Sequence, residues 1–453
     1  MKKWFNPVLL VVLILGTAIS AVPAFGSGID NKQSFSAAYA GSLSRNAATD
    51  EPDIAAYNPA GMMMLKNGLH FEFNIQPFTF DYEHSYGNET HTASPNLASP
   101  TAFAIHKSDN WAFWGAFTVN GGGGEVEYDN GNIITEGIGN MGALGMFTDG
   151  FPTSQIPAGA PGLSMPGGTL SNEYAYVESY DYTFTTGVSY KINEMFALAA
   201  GVRYVITDKE VDIHGDYTDP VGTMTHVAGK YEQEADGFGG IFGINIHPSD
   251  TVNIGIRYET RVNLDWETTV AGESKGTVGE SILGVFGRQD GQSYARDLPA
   301  VLALGVEWSI MPKLTISPSY TLYFEKDADW GDQNDSVDGN SYDLALSLRY
   351  DFSEKWTGTI GYMYTDVDMK PQNFGIIEKM SPPLDCHTLA VGGKYKWNER
   401  LAFTLGLAGF FYIDDTAPAV TATPIPGNPT ITPEVTYDKV LYQCAVGIRY
   451  SFF

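Results

Sequence analysis

Four arginines obey one spacing rule. Read with period two, Arg203 in "MFALAAGVRYVI", Arg349 in "YDLALSLRYDF", Arg449 in "VLYQCAVGIRYSFF" and Arg257 each fall on the face opposite an apolar row. Glu72, Glu307 and Asp351 share that parity. Guanidinium groups mixed with carboxylates on one interior face have two chemistries open to them. They can form structural ion pairs, for which Asp50, Glu51 and Asp53 upstream are further partners. Alternatively Arg203, Arg257 or Arg349 can grip a ligand carboxylate, because the guanidinium fork matches both of its oxygens. Nothing in the chain suggests catalysis. The eight histidines are scattered without metal-ligand spacing, and no Gly-x-Ser-x-Gly elbow occurs. His387, the one histidine whose parity and position near a long connection would suit a lipid hydrolase, has no nameable partner. No enzyme, metal or cofactor is expected.

The elements that must position these residues are strands. In the last segment Val440, Tyr442, Cys444, Val446, Ile448, Tyr450 and Phe452 share one face, and Gln443, Gly447 and Arg449 lie on the other. "GLHFEFNIQ" and "YDYTFTTGVSY" alternate in the same way. Short turns fall at 107–110, 192–194, 247–250, 310–312, 353–355 and 398–400. Long polar or Gly/Pro-rich connections fall near 83–98, 129–173, 215–226, 271–295, 328–340, 370–384 and 414–436. Short and long alternate, which separates fourteen strands and sorts the loops to two sides. Transmembrane barrels sort their loops this way, and a soluble sandwich has no reason to. The expectation is an all-β, fourteen-stranded antiparallel transmembrane β-barrel over residues 67–453, with its last strand paired to its first. Trp111, Tyr190, Trp308, Phe352, Trp356, Trp397 and Phe452 sit beside short turns on the apolar parity, as an interfacial girdle requires. Cys386 and Cys444 fall on opposite faces and cannot bridge.

Residues 1–26 read as an export signal: Lys2 and Lys3, then "VLLVVLILGTAI", then small residues. The chain carries a net charge of −27, and loss of the two lysines makes it more negative. Such acidity excludes nucleic acid as a partner. Residues 27–66 do not alternate; they are rich in Ala, Ser and Asn and break at Asn58-Pro59. A barrel of fourteen strands leaves a hole, so this stretch is expected to plug the lumen. Gly121, Gly122, Gly123 and Gly124 weaken the third strand; they mark either a flexible strand end or a bulge that opens the wall. The connection 129–173 is unusually apolar and includes Met141, Met146, Phe147 and Phe151. It either packs over the barrel mouth or meets apolar ligands first.

"SFSAAYAGSLSRNAATDEPDIAAYNPAGM" resembles the N-terminal hatch of the FadL/TodX long-chain fatty-acid and hydrocarbon transporters, with the hallmark Asn58-Pro59-Ala60. "SPTAFAIHKSDNWAFWGAFTVNGGGGEVEY" resembles that family's second and third strands, and "DLPAVLALGVEWSIMPKLTISPSYTLYFEKDADW" its Leu-Pro strand and following hairpin. The resemblance implies a hatch-plugged barrel in the outer membrane of a Gram-negative bacterium. It implies a monomer, surrounded by outer-membrane lipid, taking up long-chain fatty acids or other hydrophobic small molecules without energy coupling. It further implies that Asn58, Pro59, Ala60, Gly61 and Met62 set the hatch, and that a kinked third strand gives a lateral exit. The chain departs from the family pattern at "VNGGGG" and at Asp329-Trp330-Gly331. A general diffusion porin with a wet eyelet is the alternative, and a lipid-active enzyme or adhesin a more distant one.

Overall fold

The computed structural model describes residues 34–86, 89–94, 96–132, 134–135, 169–219, 222–285, 287–331, 337–369, 380, 382–418 and 434–453. Fourteen long strands make the wall: β1 Gly68–Tyr86, β2 Asn96–Ser108, β3 Trp111–Tyr128, β4 Thr169–Lys191, β5 Phe196–Thr218, β6 Met224–Ser249, β7 Val252–Glu259, β8 Val301–Met311, β9 Leu314–Tyr323, β10 Tyr342–Asp351, β11 Trp356–Asp366, β12 Cys386–Lys396, β13 Leu401–Tyr412 and β14 Glu434–Phe452. Each pairs antiparallel with its sequence neighbours. β1 also pairs with β14, Leu69 opposite Phe452, so the sheet closes on itself. Four short strands, Glu89–Ala93, Asp265–Val270, Ser293–Ala295 and Asp415–Pro418, extend it on the side away from the tight turns. The barrel expected from the alternation is therefore present, including the first-to-last pairing.

Alternation sorts the side chains. On β5, Leu198, Val202 and Ile206 face out and are exposed, while Ala197, Ala199, Arg203 and Val205 face in and are buried. Trp111, Tyr190, Trp308, Phe352, Trp356, Trp397 and Phe452 are all exposed beside the tight turns, where the girdle was expected. Among the described residues both cysteines are free, Cys386 buried on the inner face and Cys444 on the outer parity.

The wall is uneven in height. β8 to β13 have 10 to 12 residues, close to the ~9–11 that cross a bilayer. β4, β5 and β6 have 23, 23 and 26 and must rise beyond it. In that surplus the alternation inverts. Asp208, Glu210 and Asp212 of β5 point outward, and Val211, Ile213 and Tyr217 point inward and are buried. Glu125, Glu178, Glu210 and Glu232 even lie directly opposite one another across β3 to β6. Facing like charges disfavour pairing, and their position in lipid would be worse. This row therefore stands in water on the external side. The loops expected at 83–98 and 215–226 are partly strand for the same reason.

The chain from 34 to 64 runs inside the wall. A short helix α1, Ala37–Ala40, is capped by Ser36, whose hydroxyl accepts the Tyr39 N–H at 3.0 Å. A second, α2, covers Ile54–Tyr57, and a 3₁₀ helix follows at Pro59–Met64. Tyr57 stacks on Tyr39 and Phe35, with ring centroids 5.1 and 5.7 Å apart. Small residues let α1 reach the wall: a Cβ on Gly41 would stand 2.6 Å from the Gly392 Cα, and one on Gly406 would strike the Ala37 carbonyl. Gly406→Val is therefore expected to push the segment off β13. The barrel should still show heat-modifiable mobility on gels, while limited proteolysis within residues 34–64 should accelerate.

Candidate functional site

The inner segment and the wall are joined by buried charge. Arg45 donates from Nε and Nη2 to Asp53, at 2.9 and 2.5 Å, and from Nη1 to Asp50 at 2.8 Å. Lys394 of β12 donates to Asp50 at 2.6 Å and to Glu51 at 2.8 Å. Arg449 of β14 stands 3.2 Å from the second oxygen of Glu51. Glu72 of β1 accepts the Asp53 N–H at 3.1 Å. Burial alone would raise the Asp50 carboxyl, but Arg45, Lys394 and Arg349 outweigh it and hold it well below the usual carboxylate range. Arg203 and Arg257 both converge on Glu259, and Arg257 also donates to the Ala56 carbonyl. Arg349 pairs with Glu307 at 3.2 Å and donates to Thr315. The three arginines that were candidates for a ligand carboxylate are thus engaged in ion pairs within the wall, and Arg257 also bonds the inner segment.

Asn58 begins the contact of the 3₁₀ helix with the opposite side of the barrel. Its Nδ2 donates to Ala48 O at 3.0 Å and to Asn245 Oδ1 of β6 at 2.8 Å, and its carbonyl accepts the Gly61 N–H. Pro59, at the first helical position, needs no N–H donor role; its carbonyl accepts the Ser189 hydroxyl at 2.8 Å. Ala60, Gly61 and Met62 are fully buried, and a Cβ on Gly61 would collide with the Asn58 side chain. Asn58 Oδ1 is buried without a partner among the described residues.

The ladder between β2 and β3 is incomplete. It runs from Ser108 opposite Trp111 to Ala102 opposite Phe117 and stops. β2 continues to pair with β1 as far as Asn96, and β3 with β4 as far as Tyr128. Residues 96–101 and 118–128 are therefore held on their far sides only. Two devices cause this. Pro100 has no N–H to give. β3 also bulges twice, between Val119 and Gly121 and between Gly121 and Gly124, advancing five residues while β4 advances three from Tyr182 to Ser179. The four glycines thus sit in a bulged stretch beside a gap. On the external side of the plug, the inner wall is apolar and aromatic: Phe80, Tyr82, Tyr128, Tyr231, Phe410 and Tyr437 belong to one buried cluster there.

The profile of the outer membrane transport protein family (OMPP1/FadL/TodX) matches residues 165–452, more than half of the chain. The chain belongs to this family. Solved structures agree on the fold. A FadL homologue of Pseudomonas aeruginosa superposes with a TM-score of 0.63 at 14% identity, over 95% of this chain and 99% of that one. The toluene transporter TodX of P. putida gives 0.60 at 13% identity, over 93% and 99%. The toluene transporter TbuX of Ralstonia pickettii gives 0.57 at 13%, over 94% and 100%. No protein of curated function matches the chain in sequence. The chain is an outer-membrane transport protein of the Gram-negative type, and the named family members are transporters and channels, not enzymes.

Of the residues singled out by sequence, Asn58–Met62 fall where the inner segment meets the wall and Gly121–Gly124 at the wall gap. Met141, Met146, Phe147 and Phe151 lie outside the described residues, as do 1–26. Sequence reading missed Pro100, Arg45 and Lys394. Parity had the signal for Lys394, which sits in "VGGKYKW" on the inward count. Removing one partner of a buried pair costs about 3–5 kcal/mol. Lys394→Met should therefore cut hydrogen-exchange protection of amides 45–58 by roughly a hundredfold or more, leaving strand amides protected. In the wild type the depressed Asp50 value sets the sign. Its contribution is fully present above the ordinary carboxylate value near ~4 and is lost only as pH falls through the lower folded value. The Asp50 ion pairs should thus contribute equally to protection of the segment at pH 8 and at pH 5.

Proposed function

We propose that this protein is a passive uptake channel for hydrophobic small molecules, long-chain fatty acids or hydrocarbons, in which residues 27–66 act as a hatch. Ligands enter from the external side, collect against the aromatic inner wall above the hatch, and leave sideways between β2 and β3. The observation that carries this reading is the conjunction of the ladder gap with the apolar cluster beside it. Each buried methylene contributes about 0.8 kcal/mol, so a greasy lining concentrates acyl chains or rings without an energy source. Relatives of the same fold include toluene transporters and a monoaromatic hydrocarbon channel, CymD, which supports this reading. The unpartnered Asn58 Oδ1 gives the hatch a local reason to rearrange, because an unsatisfied buried acceptor costs about 1–3 kcal/mol. A monomer suffices, since the whole route lies within one chain, and outer-membrane lipid receives the ligand at the gap.

The porin reading is weaker. The polar cavity between hatch and wall, lined by Ser42, Arg45, Asp50, Glu307, Arg349 and Lys394, has a volume of about 40 Å³. That holds a few waters at most and no solute.

Removing Gly122 and Gly123 takes the two surplus residues out of β3 and should let it pair with β2. Uptake of radiolabelled oleate and toluene should then drop about tenfold or more at equal outer-membrane abundance. Unchanged uptake by this variant would sink the lateral route.

A further inference from the structure

We propose that the lipid-facing wall holds a seat for one acyl chain of an external-leaflet lipid, built over the seam where β14 closes on β1. The seat is separate from the ligand route through the lumen and stands whatever that route carries.

A cavity of about 630 Å³ opens on the outer face of β12, β13, β14 and β1. That size lies within the ~300–1,000 Å³ of pockets that hold a small organic molecule. Its walls are Leu389, Leu407, Phe411 and Tyr442, large side chains exposed on the outward parity. Gly409 and Cys444 stand between them. Gly409 lies opposite Leu389 on one side and Tyr442 on the other, and Cys444 lies opposite Leu407. Large and small residues thus alternate across neighbouring strands, and the outer face dips where Gly409 and Cys444 contribute little or no side chain. The Phe411 ring folds over Gly409, where a Cβ would stand 3.1 Å from it, and meets the Tyr442 ring edge-on at 6.3 Å.

The closing ladder is interrupted at the same place. It runs from Ile75 opposite Val446 to Phe78 opposite Gln443, and Gln76 and Pro77 between them make no pair with β14. Pro77 has no N–H to give, and it lines the cavity instead. On the inner face side chains tie the step, Gln443 donating to Gln76 at 2.9 Å. The seam therefore stays shut from inside while its outer face is hollow.

The hollow has a definite depth in the membrane. Val391 lies about 15 Å above Trp397 and Tyr442 about 25 Å above Phe452, for strands that rise ~3.3 Å per residue at a tilt of ~40°. The girdle marks the side of the tight turns, so the cavity occupies the external half of an apolar band ~25 Å tall. Tyr442 reaches the level of the headgroups, where amphipathic rings settle.

Lipid is the solvent on this face. Hydrocarbon supplies no hydrophobic force to drive docking, and fit decides what binds. An unfilled hollow forfeits van der Waals contacts. A second copy of the chain would offer a convex barrel wall, which cannot enter it. A thin, flexible acyl chain can, with its headgroup beside Tyr442.

Photolabelling of the full chain in vesicles tests this, with a phosphatidylcholine that carries a diazirine midway along one acyl chain as the probe. Peptides spanning 389–391, 407–411 and 442–444 should take up about fivefold more label than the lipid-facing stretch 344–346 of β10, the ratio that a handful of extra close contacts supplies. Cys444→Trp, which fills the hollow from the lipid side, should bring those peptides down to the β10 level and leave β10 itself unchanged. Equal labelling of both stretches in the wild type, or excess label that survives Cys444→Trp, overturns the seat. Labelling below the β10 level in a protein that migrates as a dimer in detergent also overturns it, in favour of a second copy.

Discussion

The constraint from which the rest follows is that a backbone in lipid must pair every N–H and C=O internally. A sheet meets it only by closing, and here the closure is the pairing of β1 with β14. Fourteen strands that close enclose more space than their own inward side chains fill. The chain answers with a segment that contributes its own polar groups to the lumen. Arg45, Asp50, Glu51 and Asp53 meet Lys394 and Arg449 there, so that three cations face three carboxylates. Replacing that charge with apolar bulk would hold a plug as firmly. A polar seam differs in that it exchanges partners with water.

The same constraint makes the β2–β3 gap informative. Strand edges inside a closed wall are the exception, and here two independent residue choices, Pro100 and the Gly121–Gly124 run, produce one. The gap coincides in level with the aromatic lining. That lining is contributed by β1, β3, β6, β13 and β14 together. The shorter strands β8 to β13 carry the small residues, Gly392 and Gly406, against which α1 packs. The 3₁₀ helix is held on the other flank by Ser189 of β4 and Asn245 of β6, so both flanks seat the inner segment while the gap lies between β2 and β3.

Much of this was legible in the sequence, because alternation is local. Inward Arg203, Arg257, Arg349 and Arg449, the outward girdle tryptophans and the separate cysteines all follow from counting by two within a single strand. Strand ends were less legible. Above the membrane Val211 and Ile213 turn inward while Asp208 and Glu210 turn outward, so the pattern continues with its polarity reversed towards the connection expected near 215–226. Partners across the lumen were not legible at all. That Glu51 would meet Lys394 and Arg449, while Arg203 and Arg257 would share Glu259, depends on which strands face the same turn of the plug. Pro100 was hidden for another reason: its effect is a missing bond, visible only once the register of both neighbours is known.

The central claim is that the plug closes the barrel along its axis and that ligands pass through the side. Planar-bilayer recording of the full chain beside a version lacking residues 34–64 tests it most directly. The full chain should carry no steady ion current, and the shortened one should open large, lasting conductances. A full chain that conducts as well as the shortened one would contradict the account.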